Sequence, residues 1–375
     1  MKALVRKVLF NIKQWLKMVL QYGILPVIYT IFRFWPIKKN KVIFADTHTD
    51  GLPYSMQYMY DVLEKEGKYI RMHCVDFRKA SFLKMALEMF SFMKDYARAE
   101  VVFICDYYLP AASCKRRKGT QVVQLWHACG AFKKFGYDAR EDISGMYKGS
   151  PMKNVSLATV SSDACVPIYA SALHLPKDVV KATGVSRTDA YFDKNYRKAC
   201  RDKFFALYPE ARGRKILLWA PTFRGNAGSP KLEGLETVEQ LQQKLGSQWY
   251  VIIKLHPHLE QKLKRSNCTM ATEDLLAVAD VLMTDYSSVM FDFMIMKKPV
   301  VLFAPDNSAY LKQRGFYLDY SSIPAVHVRD ASELPYAVKS ALTEAIDTKD
   351  FCRQYMGSCD GYATQRILKE VYQEV

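Results

Sequence analysis

Two histidines follow apolar runs that have the pattern of buried β-strands, one in each half of the 375-residue chain. His127 comes directly after residues 121–125, and His256 comes directly after residues 250–255. An imidazole with an ordinary pKa of about 6.5 can take a proton from a hydroxyl near neutral pH. Because open α/β sheets bind ligands beyond the carboxyl ends of their strands, both side chains are candidates for chemistry. The alternative for each is a hydrogen-bonded histidine of the scaffold.

The residues around His127 are small, aromatic or basic: Trp126, Ala128, Cys129, Gly130, Lys133 and Lys134. The small residues and Gly130 are expected to let a ligand approach the backbone. The two lysines are placed to meet an anion. Cys129 has no dedicated base in the sequence, so we expect a small buried thiol there.

A second polar turn separates two short apolar runs, residues 280–284 and 299–303. It contains Asp285, Ser287 and Ser288, and Asp292 follows about one helical turn later. A strand that ends where a helix begins presents free backbone N–H groups and the positive end of the helix dipole, which attract anions. The turn is therefore a candidate anion site. The alternative is that Ser287 or Asp285 only caps the helix.

Other strand ends carry further candidates: Pro221 and Thr222 after residues 215–220, Lys254 and Leu255 at the end of residues 250–255, and Arg187 in the turn 182–189. Polar chemistry therefore recurs at strand ends in both halves of the chain.

The elements that position these residues alternate between short β-branched runs and helical patterns. In the first half, runs at 41–45, 70–75 and 101–105 are separated by helical patterns at 55–66 and 82–96. This βαβαβ order predicts an α/β fold with a parallel, doubly wound sheet, and the second half repeats it. We expect three parts: a basic amphipathic segment (1–40), a first Rossmann-like domain (41–193) and a second one (194–375). The C-terminal helices of the second domain can cross back onto the first.

Charge and cysteine content narrow the class of protein. The formal net charge is +16, and residues 1–41 hold nine basic groups and no acid. Such a basic excess attracts nucleic acid, acidic lipids and phosphorylated ligands. The nine cysteines are scattered without metal-ligand spacing, which favours free thiols over disulfides or a zinc site.

Residues 3–21 have the pattern of an amphipathic helix with lysines and arginines on one arc and apolar residues on the other. This pattern is typical of a helix in a membrane interface, and the alternative is a helix packed on the protein's own core. Gly23 and Pro26 are expected to end it. The next apolar run, 24–35, contains Pro26 and Arg33 and is too short to span a bilayer comfortably. No small-residue cleavage site follows, so a cleaved signal peptide is not expected.

In their order and spacing, five motifs resemble the CDP-glycerol glycerophosphotransferase family, which makes teichoic acids and related polymers. They are WHACGAFKKFG, GVSRTD, APTFRG, KLHPH and TDYSSVMFD, and the resemblance covers about residues 41–319. It implies two Rossmann-like domains of the GT-B type with the active site in the cleft, at the inner face of the cytoplasmic membrane. The implied reaction transfers glycerol phosphate from CDP-glycerol to a hydroxyl of a lipid-linked acceptor and releases CMP.

The resemblance also implies roles for single residues. His127 corresponds to the histidine that deprotonates the acceptor hydroxyl. The positions that hold CDP-glycerol are Arg187, Pro221, Thr222, His256, Ser287, Ser288 and Asp292. His256 or Arg187 would stabilise charge on the transferring phosphoryl group. The flanking residues Trp126, Ala128, Cys129, Gly130, Lys254 and Leu255 are expected to contact substrate, with Asp285, Lys133 and Lys134 as further candidates.

No DxD-type pair lies on these loops, so neither a metal nor a cofactor is predicted. Many members of the family read WHGT where this chain has Trp126-His127-Ala128-Cys129. The form found here resembles the smaller enzymes that act early on the lipid-linked acceptor.

Three alternatives remain at this point: a CDP-ribitol-dependent transferase, a nucleotide-sugar glycosyltransferase of the same fold, and a nucleic-acid-binding protein. The last would place basic residues and exposed aromatics along one face, whereas more than half of the excess charge lies in residues 1–41. The expected partners are the CDP-polyol, an undecaprenyl-diphosphate-linked saccharide and an anionic membrane surface on the cytoplasmic side, with no nucleic acid. A homo-oligomer is also compatible with the sequence.

Overall fold

A computed structural model describes residues 12, 14–139, 149–226, 229–306 and 315–373. The chain forms two compact units. The N-terminal unit comprises Met1–His127, Phe135–Arg187 and Tyr362–Val375, and the C-terminal unit comprises Ala128–Lys134 and Thr188–Gly361.

These units differ from the predicted limits 41–193 and 194–375 in two ways. Residues 128–134 belong to the C-terminal unit because they pair with a distant segment: the Lys134 amide donates to the Gly315 carbonyl, and the Tyr317 amide donates to that of Phe132. The chain also leaves the N-terminal unit at Arg187, before Asp193. Neither feature is visible as a local pattern, since both depend on pairing between segments far apart in sequence.

The N-terminal unit is built on a six-stranded sheet in which all neighbours are parallel, in the order β2-β1-β3-β4-β5-β6. Its strands are β1 (Lys41–Asp46), β2 (Tyr69–Cys74), β3 (Val101–Ile104), β4 (Gln121–Gln124), β5 (Leu157–Thr159) and β6 (Val180–Lys181). Its helices after the N-terminal one are α2 (Tyr54–Lys65), α3 (Phe82–Tyr96), α4 (Leu109–Ala112), α5 (Val166–Leu173) and α13 (Ala363–Gln373). The chain passes from β1 to β2 on one side and to β3 on the other, which makes the β1–β3 edge the switch point of a doubly wound sheet.

The last helix, α13, is part of the N-terminal core. Ile367 and Val371 are fully buried in the cluster formed by β1, β3 and α2. Ser186 and Thr364 share a hydrogen bond of 2.9 Å between their hydroxyls, and Arg366 donates to the Thr183 carbonyl. The C-terminus of the chain therefore stabilises the sheet that its first strands begin.

The N-terminal helix does not end at Gly23 and Pro26 as predicted. It spans Gln14–Phe32, through a π-helical turn at Leu20–Ile24 and an α-helical part, α1 (Leu25–Phe32). The π-turn carries the chain past Gly23, and Pro26 follows it as the second residue of α1, so the change in helical geometry lies beside the residue that lacks an N–H. At 19 residues the helix is long and apolar enough to cross a membrane by length and composition alone. Most of the predicted amphipathic segment 3–21 lies outside the described residues.

The C-terminal unit contains a five-stranded parallel sheet in the order β10-β7-β11-β12-β13. Its strands are β7 (Lys215–Trp219), β10 (Trp249–Ile253), β11 (Val281–Thr284), β12 (Val300–Phe303) and β13 (Val326–Val328), with a separate hairpin of β8 (Arg224–Asn226) and β9 (Ser229–Lys231). Its helices are α6 (Lys194–Leu207), α7 (Leu235–Leu245), α8 (Pro257–Leu263), α9 (Thr272–Val278), α10 (Val289–Ile295), α11 (Leu334–Ser340) and α12 (Lys349–Met356). The α/β architecture with parallel, doubly wound sheets is confirmed in each unit. Strand β13 and the β8–β9 hairpin were not predicted from the sequence.

A buried ion network joins α3 to the N-terminal sheet. His73, 3% exposed, lies 2.6 Å from Glu88 and 3.0 Å from Asp95. Asp95 also accepts from Lys41 at 2.7 Å and from Arg71 at 3.1 Å. Burial opposes the charged imidazole, but the hydrogen bonds to Asp95 and Glu88 outweigh it and raise the pKa of His73.

This raised pKa predicts a pH-dependent stability. Protonated His73, bonded to Asp95 and Glu88, stabilises the fold fully below the ordinary histidine pKa of 6.5. This stabilisation is lost as the pH rises through the higher folded-state pKa of His73. We expect the free energy of unfolding to fall over that window, and His73→Gln to remove the dependence. Urea unfolding between pH 5 and 9 measures it, with His174→Asn as the exposed control. Equal slopes for wild type and His73→Gln would show that folding does not change the pKa of His73.

Candidate active site

His127 lies beyond the carboxyl end of β4 in the N-terminal unit, with its side chain half exposed. Its Nδ1 is 3.2 Å from the Cys105 carbonyl oxygen. Because a carbonyl only accepts hydrogen bonds, Nδ1 of the neutral ring must carry the proton. Nε2 therefore keeps the lone pair that a general base needs.

Trp126 holds the ring of His127 in place. Its backbone is in the left-handed region with φ = 56°, a conformation that costs a bulky residue free energy and persists only under strong packing. The indole stacks on the His127 ring at 4.5 Å and packs against Phe135 and Tyr169. Its amide donates to the Gln124 side chain at 2.9 Å. Trp126, which is 4% exposed, thus fixes the orientation of the His127 ring.

Two further candidates that were not predicted from the sequence, His48 and Asp106, lie beside His127. Nδ1 of His127 lies 3.6 Å from Oδ2 of Asp106, and Nδ1 of His48 lies 3.7 Å from the same oxygen. Both follow strands of the sheet, β1 and β3. The rule that singled out His127, a polar residue just after an apolar run, could have found them.

Residues 128–134 belong to the C-terminal unit, where they are occupied by protein contacts. A Cβ on Gly130 (φ = 67°) would lie 2.8 Å from the Phe291 ring, so the missing side chain makes room for an aromatic ring of α10. Cys129 is a fully buried thiol, as expected, with its sulfur 3.7 Å from that of Cys359. Lys133 forms a β-bridge with Phe316, Lys134 is exposed, and Ala128 is partly buried.

In the C-terminal unit, Asp285 ties two loops together across the switch point between β7 and β11. One of its oxygens accepts from the amide and the hydroxyl of Thr222, both at 2.8 Å. The other accepts from Arg224 at 2.8 Å. Asp285 was a candidate for ligand binding or helix capping, and its carboxylate instead joins the loops after β7 and β11.

Arg224 is the centre of this cluster and was also missed. It donates to Asp306 at 2.6 and 2.9 Å and lies over the Tyr286 ring at 4.9 Å. Burial disfavours the guanidinium, but its bonds to Asp306 and Asp285 outweigh this and raise the pKa of Arg224. Burial likewise opposes the charged carboxylate of Asp306, and the bonds from Arg224 lower its pKa. The sequence signal was the arginine in the APTFRG motif.

Ser287, Ser288 and Asp292 lie at the start of α10. Ser288 occupies the N-cap position, but its side chain makes no capping hydrogen bond, and the Ser287 hydroxyl accepts only a long bond of 3.4 Å from the Val289 amide. Capping therefore does not account for the Ser288 hydroxyl. Asp292 is 1% exposed, so a ligand can reach its carboxylate only after local opening.

The other candidates differ in exposure and in their protein contacts. His256 is exposed, and its ring lies 4.9 Å from that of Phe223. Lys254 donates to the Cys268 carbonyl, and Leu255 is a core residue. Pro221 is buried after β7. Arg187 is 6% exposed and closes the second segment of the N-terminal unit.

Comparison with known proteins identifies the family. Its model, described as CDP-glycerol:poly(glycerophosphate) glycerophosphotransferase, matches residues 27–373. The teichoic acid ribitol-phosphate primase of Bacillus spizizenii is 32% identical over 88% of this chain and 90% of its own length. The teichoic acid glycerol-phosphate primase of Bacillus subtilis is 30% identical over 72% of both chains.

Among solved structures, the wall teichoic acid polymerase TagF has the same fold. It superposes with a TM-score of 0.71 at 19% identity, over 100% of this chain and 98% of its own. The match extends from the N-terminal helix to the last helix, well beyond the motifs that suggested it. The chain therefore belongs to the CDP-glycerol:poly(glycerophosphate) glycerophosphotransferase family, the CDP-polyol phosphotransferases of teichoic acid synthesis.

Proposed function

We propose that the protein transfers glycerol phosphate from CDP-glycerol to a hydroxyl of a membrane lipid-linked acceptor and releases CMP. The observation that carries the proposal is the geometry of His127 in a chain of this family: a half-exposed imidazole with its Nδ1 proton directed to a carbonyl. Nε2 would take the proton of the acceptor hydroxyl as its oxygen bonds to the phosphorus next to glycerol. The bond from that phosphorus to the CMP oxygen breaks, and CMP leaves.

CDP-ribitol is the second candidate donor. The ribitol-phosphate primase matches 88% of this chain, whereas the glycerol-phosphate primase matches 72%. The two donors differ only in the length of the polyol, so the nucleotide and phosphate contacts serve both.

Product analysis tests the function. The full chain is incubated with an undecaprenyl-diphosphate-linked disaccharide and, separately, with CDP-glycerol, CDP-ribitol or a UDP-hexose, and the lipid products are analysed by mass. We expect one polyol-phosphate mass increment or more, with CMP released in equal amount. Transfer from the UDP-hexose alone would establish a glycosyltransferase and contradict the proposal.

Ser288 and Asp292 are proposed to bind the nucleotide half of the donor. A hydrogen bond to a charged group is worth about 1.5–3 kcal/mol, so Ser288→Ala should weaken donor binding roughly 10- to 100-fold. Asp292→Asn should weaken donor binding to a similar extent, because the Asp292 carboxylate is proposed to bind the ribose of the donor. Calorimetry with the CDP-polyol measures both, and Ser321→Ala, in a short 3-10 helix of the same unit, is the control. Unchanged affinity in both variants would leave these residues with a packing role only.

We also propose peripheral attachment to the cytoplasmic side of the membrane. One face of the N-terminal helix packs on the protein, since Leu25 and Tyr29 are buried and Tyr29 lies 5.1 Å from Tyr96. The opposite face exposes large apolar residues: Trp15, Leu16, Val27 and Ile31. Phe32 contacts Phe90 of α3, which connects this face to the exposed Phe82, Leu83 and Leu87 of that helix. An apolar surface of this extent beside a basic N-terminus suits an anionic bilayer.

This proposal predicts vesicle binding that depends on the exposed face. Deleting the helix would uncover Tyr96, so substitutions in the full chain are the sharper test. Replacing Trp15, Leu16 and Val27 by serine should lower binding to anionic vesicles at least tenfold, since burying each large apolar side chain contributes about 1.5–3 kcal/mol. Tyr336→Ser, on an exposed aromatic of the C-terminal unit, is the control. Added salt should weaken binding of the wild-type chain. Equal sedimentation of variant and wild type with vesicles would refute the attachment site.

A further inference from the structure

The carboxylate of Asp106 stands between two histidines at the switch point of the N-terminal sheet. Its Oδ2 lies 3.6 Å from Nδ1 of His127 and 3.7 Å from Nδ1 of His48. The three residues follow β4, β3 and β1, which are neighbours in the sheet. Ligands of doubly wound sheets bind in the crevice at this edge. The three side chains are between 26% and 50% exposed, so solvent or an acceptor can reach them.

Asp106 is held in position by the protein around it. Gln124, 1% exposed, donates to the Asp106 carbonyl at 3.1 Å and accepts from the Trp126 amide at 2.9 Å. One buried side chain thus sets the spacing between the carboxylate and the histidine loop. The Tyr107 amide donates to the other oxygen of Asp106 at 2.7 Å, which leaves Oδ2 directed to the histidines.

Two hydrogen bonds to its backbone hold His48 in position. Its amide donates to Asp46 at 2.7 Å, and Arg78 donates to its carbonyl at 2.7 Å. The charged groups facing its ring are Asp46, Asp106 and Arg78. The hydrogen bond to Asp46 is the largest influence and, with the charge of Asp106, raises the pKa of His48 despite burial and the opposing charge of Arg78. These surroundings therefore favour the protonated form of His48.

We propose that Asp106 is a shared positioning residue, which supports the tautomer that the Cys105 carbonyl sets in His127 and couples the charge of His127 to that of His48. This inference rests on the proposed function for its kinetic part. When the acceptor hydroxyl loses its proton to Nε2 of His127, the ring becomes an imidazolium whose Nδ1 proton faces the Cys105 carbonyl and Asp106. The carboxylate stabilises that cation, and a protonated His48 beside the same oxygen opposes it.

The two neighbours of His127 should therefore shift its pH dependence in opposite directions. Asp106→Asn removes a negative charge, so the acid limb of the kcat/KM profile should move to lower pH. The maximal rate should fall roughly tenfold or more, the size expected for one charge about 4 Å from a half-exposed ring. His48→Gln removes a positive charge and should move the acid limb to higher pH. Asp50→Asn, an exposed carboxylate in the loop that follows β1, should leave the profile unchanged. A merely structural Asp106 would not produce opposed shifts.

A readout without substrate separates this inference from the proposed function. In the full chain with isotopically labelled histidine rings, NMR reports the tautomer of His127 and the titration of His48, assigned through His127→Gln and His48→Gln. We expect the Nδ1–H tautomer in wild type and a lower titration midpoint of His48 in Asp106→Asn. If transfer is absent but these signals respond, the proposed function fails and the coupling stands. If the midpoint of His48 does not change, or both variants shift the rate profile the same way, the inference is overturned.

Discussion

Replacement of His127 by alanine is expected to lower turnover about 10²–10⁴-fold, the contribution of a positioned general base. An alcohol hydroxyl has a very high pKa, so it attacks phosphorus effectively only while its proton is being removed. The structure places the Nδ1 proton against the Cys105 carbonyl, which leaves Nε2 to accept that proton. Donor binding should stay nearly unchanged, since the base acts on the acceptor.

Single-turnover kinetics and calorimetry with the CDP-polyol measure the two quantities separately. His256→Ala is the matched comparison, because it removes the other strand-end histidine. That variant should lose donor affinity as well as turnover, since a group that touches the phosphate acts in the ground state and in the transition state. These roles are contradicted if His127→Ala keeps most of its turnover. They are also contradicted if His127→Ala loses donor binding while His256→Ala keeps it.

Arg224→Met should destabilise the C-terminal unit by about 3–5 kcal/mol, the cost of removing one partner from a buried ion pair. Arg224 and Asp285 have side chains that are 11% and 5% exposed, so water cannot replace the lost partner. Asp285 would keep its bonds from Thr222 but would carry an uncompensated charge. The guanidinium also lies over Tyr286, and that contact would be lost too.

Hydrogen exchange in the full chain localises the effect. Amides of β7 and β11 should exchange faster in Arg224→Met, while those of β1 and β3 in the N-terminal unit should not change. Asp306→Asn is the milder control, since Asp306 is 26% exposed and its loss leaves Arg224 paired with Asp285. If the β7 and β11 amides exchanged no faster in Arg224→Met than in this control, Arg224 would not hold the loops after β7 and β11 together.

Local pattern alone determined much of the fold. Short β-branched runs separated by helical patterns predicted the parallel strands, and helix α3 was placed at its observed limits, Phe82–Tyr96. This works because strands covered on both faces are continuously apolar, and their order follows from the crossover connections. The exposed histidine beyond β4 was predicted for the same reason, since a polar residue at a strand end follows from the apolar run before it.

The partners of each candidate residue were decided by tertiary structure. The sequence did not show that Phe291 packs against Gly130. It also did not show that Asp285 pairs with Thr222 and Arg224. Asp106 and His48 also follow apolar runs, but the sequence did not show that they lie beside His127. Sequence spacing shows which residues end a strand, but only the order of strands in the sheet brings those ends together. A side chain's chemistry depends on that neighbourhood, because burial and nearby charges set both its free energy and its protonation.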